Sequence, residues 1–191
     1  MRKPLAMLLI LTGMLGLARP SYHFLRRNFR YLRAAHEWTD WKAAHRTSQP
    51  GDPIAWLKSD AGGLNYLVHR GTSLQTLLES PGLSEAGGLP QDPGLKVILA
   101  HRDIHFRDLK SVKVGTRIEL ETVDATREYL VRDVEILSPE KMEEKIKETR
   151  RENRLVLVTC YPFQYIGPAP QRYVVWAAPE EANGEKTDPS H

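Results

Sequence analysis

Short apolar runs separated by turn residues recur along most of this 191-residue chain. The run at 155–159 is almost entirely apolar, as in a strand buried on both faces, while the run at 128–136 alternates apolar and polar residues only in part. Thirteen glycines and thirteen prolines supply turn signals between such runs. The pattern therefore predicts an all-β domain of seven or eight strands. The candidate strands are 54–57, 65–68, 96–100, 116–122, 128–136, 155–159 and 172–177.

Two short helices are predicted between the strands. One covers 73–78, with Thr72 or Ser73 as its N-cap, and a turn at 80–82 follows it. The other covers 141–151 and is opened by Ser-Pro-Glu at 138–140, with acidic residues early and basic residues late. Many short strands with few helices indicate a closed or nearly closed barrel that is rich in antiparallel pairs.

The amino terminus carries a separate signal. Residues 5–18 are apolar and uncharged, and they are followed by Arg19 and Pro20. As a helix this stretch spans about 21 Å, which is short of the roughly 30 Å hydrocarbon core and typical of a signal peptide. We expect residues 1–18 to be an uncleaved signal anchor or a cleaved signal peptide. A buried helix of a soluble protein is the remaining alternative.

Positive charge is concentrated near the amino terminus. Residues 1–46 have a net charge of +7 and the whole chain +3, so the remaining residues carry −4. This distribution argues against a general nucleic-acid surface on the domain. The basic and aromatic segment 22–33 predicts a helix on anionic lipid headgroups or, alternatively, a stalk helix with Trp38 and Trp41 docked on the barrel. Because the more basic flank follows the apolar stretch, the positive-inside tendency opposes export of the domain.

The chain has one cysteine, Cys160, at the end of the apolar run 155–159. An internal disulfide is therefore excluded. Arg172 begins a second apolar run twelve residues later, and His101 closes an earlier one, so all three are expected at strand ends. A nucleophilic thiol needs a proton shuttle and a donor to the oxyanion, and these two residue types supply both. The alternative is an inert cysteine buried in the core.

Three motifs resemble those of sortases, the cysteine transpeptidases of bacterial surfaces. Leu-Val-Thr-Cys at 157–160 resembles their cysteine signature, Ala-His-Arg-Asp at 100–103 their histidine motif, and Gln-Arg-Tyr-Val-Val at 171–175 the strand with their essential arginine. The similarity covers roughly 54–178. The continuations of the first two motifs, 161–163 and 103–107, most resemble the sortases of Gram-negative bacteria.

The resemblance implies a closed eight-stranded sortase-type β-barrel, which we assign to residues 51–179. Ala100 and Val156 depart from the residues that many members have there, but neither position supplies reacting atoms. A basic aromatic juxtamembrane segment is assigned to 19–50, and the polar tail 180–191 is expected to be disordered.

The resemblance also implies a reaction. Cys160 attacks the carbonyl after the threonine of a motif similar to Leu-Pro-x-Thr-Gly on a partner protein, and a thioacyl enzyme forms. Arg172 donates to the oxyanion, and His101 protonates the leaving amine and then deprotonates an amine acceptor. Thr159 is expected to contact the substrate. The protein would be a single-pass protein of the cytoplasmic (inner) membrane, with its catalytic domain on the extracytoplasmic side.

No cofactor is predicted. His101, Asp103 and His105 would share one side of a strand as ligands of zinc, but we prefer a catalytic His101 with local hydrogen bonds for the other two. Some sortases bind calcium beside the loop before the histidine strand. Three acidic residues occur in that region of this chain: Glu79, Glu85 and Asp92.

Two alternative functions remain from the sequence. Another cysteine peptidase is one, although papain-like enzymes have their cysteine before their histidine. A membrane-anchored, non-enzymatic β-barrel binding module with a structural Cys160 is the other.

Overall fold

A closed β-barrel forms the body of the protein in the computed structural model, which describes residues 29–44 and 48–180. Its strands are β1 (Pro53–Ser59), β2 (Leu64–Arg70), β3 (Gly82–Leu83), β4 (Lys96–Leu99), β5 (Arg117–Glu121), β6 (Thr126–Leu137), β7 (Leu155–Tyr161) and β8 (Gln171–Pro179). They close in the order β1-β2-β3-β4-β7-β8-β6-β5. The pairs β2·β3 and β4·β7 are parallel and the others are antiparallel. The predicted all-β class and the closed eight-stranded barrel are confirmed.

The seven predicted strands are all present, with ends that differ from the prediction by at most two residues. The eighth, β3, has only two residues and lies where the sequence predicts a turn. It pairs with His69 and Arg70 of β2 on one side and with Ile98 and Leu99 of β4 on the other. A strand this short has no hydrophobic period of its own, so only its neighbours define it.

Three α-helices accompany the barrel in the described part of the chain: α1 (29–44), α2 (Leu74–Glu79) and α3 (Pro139–Glu148). Two short 3-10 helices, Ala61–Gly63 and Arg107–Ser111, lie in the connections between strands. Both predicted N-caps are confirmed, because the Ser73 hydroxyl accepts from the Thr76 N–H at 3.1 Å and the Ser138 hydroxyl from the Lys141 N–H at 3.3 Å. Helix α3 ends three residues before the predicted end. Thr149 is the C-cap of this helix, and its N–H donates a hydrogen bond to the Lys145 carbonyl at 3.0 Å.

Strands β4, β7 and β8 are buried on both of their faces. One face lines the barrel interior, and the other is covered by α3, from which Ile146 and Met142 contact the sheet. Burial on two faces explains why the run at 155–159 is apolar without alternation. The α3-covered layer consists of side chains from the three strands: Val97, Leu99, Val156, Val158, Val174 and Trp176.

Helix α1 docks on the outside of β1 and β2. Trp38 is 4% exposed and packs with Trp56 and Leu67, and Trp41 contacts the same cluster. The docking of both tryptophans on the barrel, which the stalk interpretation predicts, is therefore confirmed. Residues 22–28 of the basic aromatic segment lie outside the described residues.

A carboxylate on β5 ties α1 to the barrel. Glu121 accepts hydrogen bonds from the Trp38 indole at 3.0 Å, from Lys42 at 2.9 Å and from Lys58 at 2.8 Å. Burial tends to raise the pKa of Glu121, but these three donors outweigh it and lower the pKa to about 2. The helix is thus held by charge as well as by apolar packing.

The predicted anchor, 1–18, and all of the predicted tail but residue 180 lie outside the described residues. Among the residues that are described, no helix has the length and apolarity needed to span a membrane.

Candidate active site

Cys160 and Arg172 face each other across two neighbouring strands. In the antiparallel pairing of β7 with β8, these two residues are direct partners. Side chains of such partners leave the same face of a sheet, with Cβ atoms about 4.5–5.5 Å apart. The side chains that carry the thiol and the guanidinium are therefore neighbours on one face of the sheet.

His101 reaches the other side of Cys160. Strand β4 runs parallel to β7 with Leu99 opposite Val158, and the Ala100 N–H extends the ladder by donating to the Val158 carbonyl at 3.2 Å. Continuing this register places His101 beside Cys160, on a chain about 4.8 Å away. The three residues form one row across β4, β7 and β8, with the sulfur in the middle.

The alternation of side chains sets the face on which this row lies. His101 and Cys160 follow, and Arg172 precedes, by two residues a side chain of the layer covered by α3. The row therefore continues that outer layer beyond the part that α3 covers. Cys160 is a free thiol there and is half-buried, unlike the fully buried residues that precede it in β7.

The backbone of His101 is held in place by the turn that follows it. The His101 carbonyl accepts from the N–H groups of His105 at 3.2 Å and Phe106 at 3.0 Å, which closes the turn that follows it. Its Nε2 atom is buried and has no hydrogen-bond partner among the described residues. Because the register puts His101 next to Cys160, a ring nitrogen that no other residue in this part of the chain occupies is suited to proton transfer at this site.

Arg172 is oriented by the loop that precedes it. Its Nη1 donates to the Ala169 carbonyl at 3.1 Å and to the Gln171 carbonyl at 2.9 Å. Among the described residues these bonds use Nη1 alone, so Nε and Nη2 remain for a substrate oxygen. The first turn of α3 lies nearby, since Arg172 contributes to the lowered pKa of Glu140, after hydrogen bonds from that residue's own N–H and from Ser138.

Thr159 points to the other face of β7. It is buried, and its hydroxyl donates to the Ala100 carbonyl at 2.7 Å. This bond joins the ends of β7 and β4 and so supports the alignment of Cys160 with His101. A contact between Thr159 and the substrate stays a prediction.

The segment after His101 is a turn rather than a strand, so the expected alternation of His101, Asp103 and His105 does not occur. The described residues contain no group of three or more His, Cys, Asp or Glu side chains arranged for a metal, and the zinc interpretation is therefore wrong for them. His105 is buried and its Nε2 donates to the Glu79 carbonyl at 3.0 Å, so its hydrogen bond goes to a residue 26 positions earlier and is not the local bond that was predicted. Burial lowers the pKa of His105 to about 4, so the ring is neutral.

Arg102 makes hydrogen bonds near the site that could not be predicted from the sequence. It lies within the histidine motif, yet its guanidinium donates to backbone carbonyls of the loop between β7 and β8, the first at Pro162, 3.1 Å away. No local sequence pattern predicts such a hydrogen bond, because its donor and its acceptor are 60 residues apart.

The family model of the sortase domain matches residues 57–180. A curated relative, sortase D of Bacillus subtilis strain 168, is 29% identical over 110 residues, which are 57% of this chain and 54% of that protein. The chain therefore spans about half the length of this relative.

Solved structures share the fold. A sortase D5 transpeptidase of Clostridium perfringens has a TM-score of 0.61 at 21% identity, covering 74% of this chain and 88% of that one. Sortase C of Streptococcus pneumoniae has a TM-score of 0.62 at 20% identity, covering 82% and 90%. Sortase A of Corynebacterium diphtheriae has a TM-score of 0.61 at 19% identity, covering 85% and 87%.

The predicted likeness to the sortases of Gram-negative bacteria finds no support, since these relatives come from Gram-positive species. The broader prediction is confirmed. The family model covers more than half of the chain, including the three strand ends that carry His101, Cys160 and Arg172, so this chain belongs to the sortase family.

Proposed function

We propose that the protein is a cysteine transpeptidase that cleaves a sorting motif similar to Leu-Pro-x-Thr-Gly and transfers the acyl part to an amine. The observation that carries the proposal is the row of His101, Cys160 and Arg172 on one face of three adjacent strands. Family membership supports the same chemistry.

In the first half-reaction the Cys160 thiolate attacks the carbonyl carbon of the motif's threonine. The negative charge that develops on the carbonyl oxygen is met by the guanidinium of Arg172. The bond from threonine to glycine then breaks, and His101 gives its proton to the leaving amine. The product is a thioester between the substrate and Cys160.

In the second half-reaction an amine acceptor enters and His101 removes its proton. The amine nitrogen attacks the thioester carbon, which forms a new amide bond and releases the Cys160 thiolate. No net oxidation or reduction occurs, and each proton that His101 gives is later recovered.

The position of Cys160 argues against the binding-module alternative. A structural cysteine is expected to be buried like the five residues before it in β7, but Cys160 is only partly buried, in a row with a histidine and an arginine. Accessibility of this kind is what a nucleophile requires.

A trapping experiment tests the proposal. The purified protein is incubated with a pool of Leu-Pro-x-Thr-Gly peptides in which x is varied, and its intact mass is measured. We expect an added acyl mass on the wild type that hydroxylamine releases, and no added mass on Cys160→Ala. A folded wild-type protein that gains no mass from any peptide, or an adduct that persists in Cys160→Ala, would overturn the proposal.

The proposed setting is the cytoplasmic membrane, with the catalytic domain outside the cytoplasm and sorting-signal proteins as partners. The uncharged stretch 5–18 supports an amino-terminal anchor. A phosphatase fused after Ala178 should be active outside the cytoplasm, and a matched fusion lacking residues 5–18 should not. Equal activity of the two fusions would refute the anchor.

A further inference from the structure

Two arginines donate hydrogen bonds to backbone carbonyls of the loop between β7 and β8, residues 162–170. One is Arg172 and the other is Arg102, which directly follows His101. We propose that Arg102 is a positioning residue: by clamping this loop it fixes the carbonyl that orients the Arg172 guanidinium. The inference rests on the proposed transpeptidase function for its effect on rate, but the clamp itself is a property of the fold.

Arg102 makes several contacts with the loop at once. Its Nη1 donates to the Pro162 carbonyl at 3.1 Å, and its Nη2 donates to the carbonyls of Tyr165 at 2.8 Å and Gly167 at 3.4 Å. The guanidinium also lies over the Tyr165 ring, 5.8 Å from its centroid. One side chain thus restrains the start, the middle and the tip of the loop.

The remaining part of the same loop restrains Arg172. The Ala169 carbonyl, two residues beyond Gly167, accepts from Arg172 Nη1 at 3.1 Å. The other acceptor, Gln171, is the neighbour of Arg172 in the chain and moves with it. Ala169 is therefore the acceptor that relates the guanidinium to a separate part of the structure.

Phe163 packs against the core and the Tyr173 ring, but the residues after it in the loop have few buried contacts and need such a clamp. Residues 164–168 are exposed, and Ile166 projects fully into solvent. Exposed segments with few buried contacts open at low free-energy cost. A planar guanidinium that reaches three backbone carbonyls is suited to this task, whereas an ammonium is a single point of donation.

The consequence for catalysis is geometric. Loss of the Arg102 bonds frees the loop, the Ala169 carbonyl moves, and the guanidinium of Arg172 no longer has one preferred direction. Because small misplacements of catalytic groups can cost up to about 10²-fold in rate, we expect Arg102→Ala to lose about 10- to 100-fold.

The first experiment measures the clamp without any substrate. Cleavage of the folded protein by dilute chymotrypsin after Tyr165, an exposed residue of the loop, is compared in the wild type, Arg102→Ala and Arg107→Ala. Arg107 is a matched control, because it is exposed, lies five residues away and donates one bond to a backbone carbonyl, that of Asp103, at 3.0 Å. We expect cleavage at least about tenfold faster in Arg102→Ala and unchanged in Arg107→Ala, because a loop must open locally to enter a protease. An unchanged cleavage rate in Arg102→Ala, or the same increase in both variants, would overturn the clamp.

The second experiment measures the coupling between the two arginines. The rate of thioacyl formation at saturating peptide is determined for Arg102→Ala, Arg172→Lys and the double variant. If Arg102 acts through Arg172, the loss in Arg102→Ala shrinks to about twofold or less in the Arg172→Lys background. Equal losses in both backgrounds would refute the positioning role.

A conservative variant separates positioning from stability. Arg102→Lys keeps the charge but not the fork, so its rate should lie between those of the wild type and Arg102→Ala while its melting temperature matches the wild type. A rate equal to that of the wild type would show that the fork is not needed. If the wild type itself forms no thioester, the proposed function fails, and the cleavage experiment still decides whether Arg102 holds the loop.

Discussion

Arg172→Lys isolates the geometry of the arginine from its charge. The substitution keeps a positive charge opposite Cys160 but removes the planar set of five donors. In the structure Nη1 is committed to the Ala169 and Gln171 carbonyls, and Nε and Nη2 point elsewhere on the same rigid plane. A lysine has three N–H donors on a single nitrogen, so it lacks the separated nitrogens that let arginine keep these bonds on one side and reach an oxyanion on the other.

The expected loss follows from the removal of one oxyanion donor. Such a removal costs about 10²- to 10³-fold in kcat, or about 2.7–4 kcal/mol of transition-state stabilisation. The fold should be little affected, because Arg172 is half-buried and its bonds go to a surface loop. We expect the free energy of unfolding to change by less than about 1 kcal/mol.

The assay is the rate of thioacyl formation at saturating peptide, read from the intact mass. Arg127→Lys is the matched control. Arg127 lies near the start of β6, whereas Arg172 pairs with Leu137 at the end of β6, and Arg127 also donates to a loop carbonyl, that of Pro90, at 2.9 Å. The control should keep its rate within about twofold. A folded Arg172→Lys enzyme with the rate of the wild type would exclude Arg172 from oxyanion stabilisation.

Two further predictions concern pH and stability. Glu121→Gln should lower the free energy of unfolding at pH 7 by about 1–2 kcal/mol, a value reduced for partial exposure of the carboxylate. Because the folded pKa of Glu121 is about 2, urea unfolding should show this difference above about pH 4.5 and its loss as the pH falls towards 2, whereas a constant difference would contradict it. His105 has a folded pKa of about 4 against 6.5 ordinarily, so the wild type should lose stability as the pH falls from about 6.5 to 4. His105→Gln, which keeps a donor for the Glu79 carbonyl, should flatten that part of the profile, and an unchanged profile would show that the ring is not held neutral.

Much of the fold could be predicted because its long elements carry their own signals. The run at 155–159 is apolar without interruption since β7 is buried on both faces, and Ser138 with Pro139 marks the start of α3 in the local sequence. Strand β3 could not be found in this way, because its two residues obtain their strand geometry from β2 and β4.

For the candidate site, too, the features with local sequence signals could be predicted and the others could not. Cys160, His101 and Arg172 each end or begin an apolar run, so the sequence placed them at strand ends. It did not show that β4 is parallel to β7, nor that a turn follows His101, where the zinc alternative would have needed a strand through Asp103 and His105. The turn there depends on backbone bonds to the His101 carbonyl, which have no side-chain signature.

The sequence by itself determined the residue types, their order and the ends of the strands, because hydrophobic period and turn chemistry are local properties. Only the tertiary structure decided which strands are neighbours and in what register. That register puts Cys160 between His101 and Arg172, and it brings Arg102 to a loop 60 residues away. Such pairings depend on contacts between distant segments, and no single stretch of the chain encodes them.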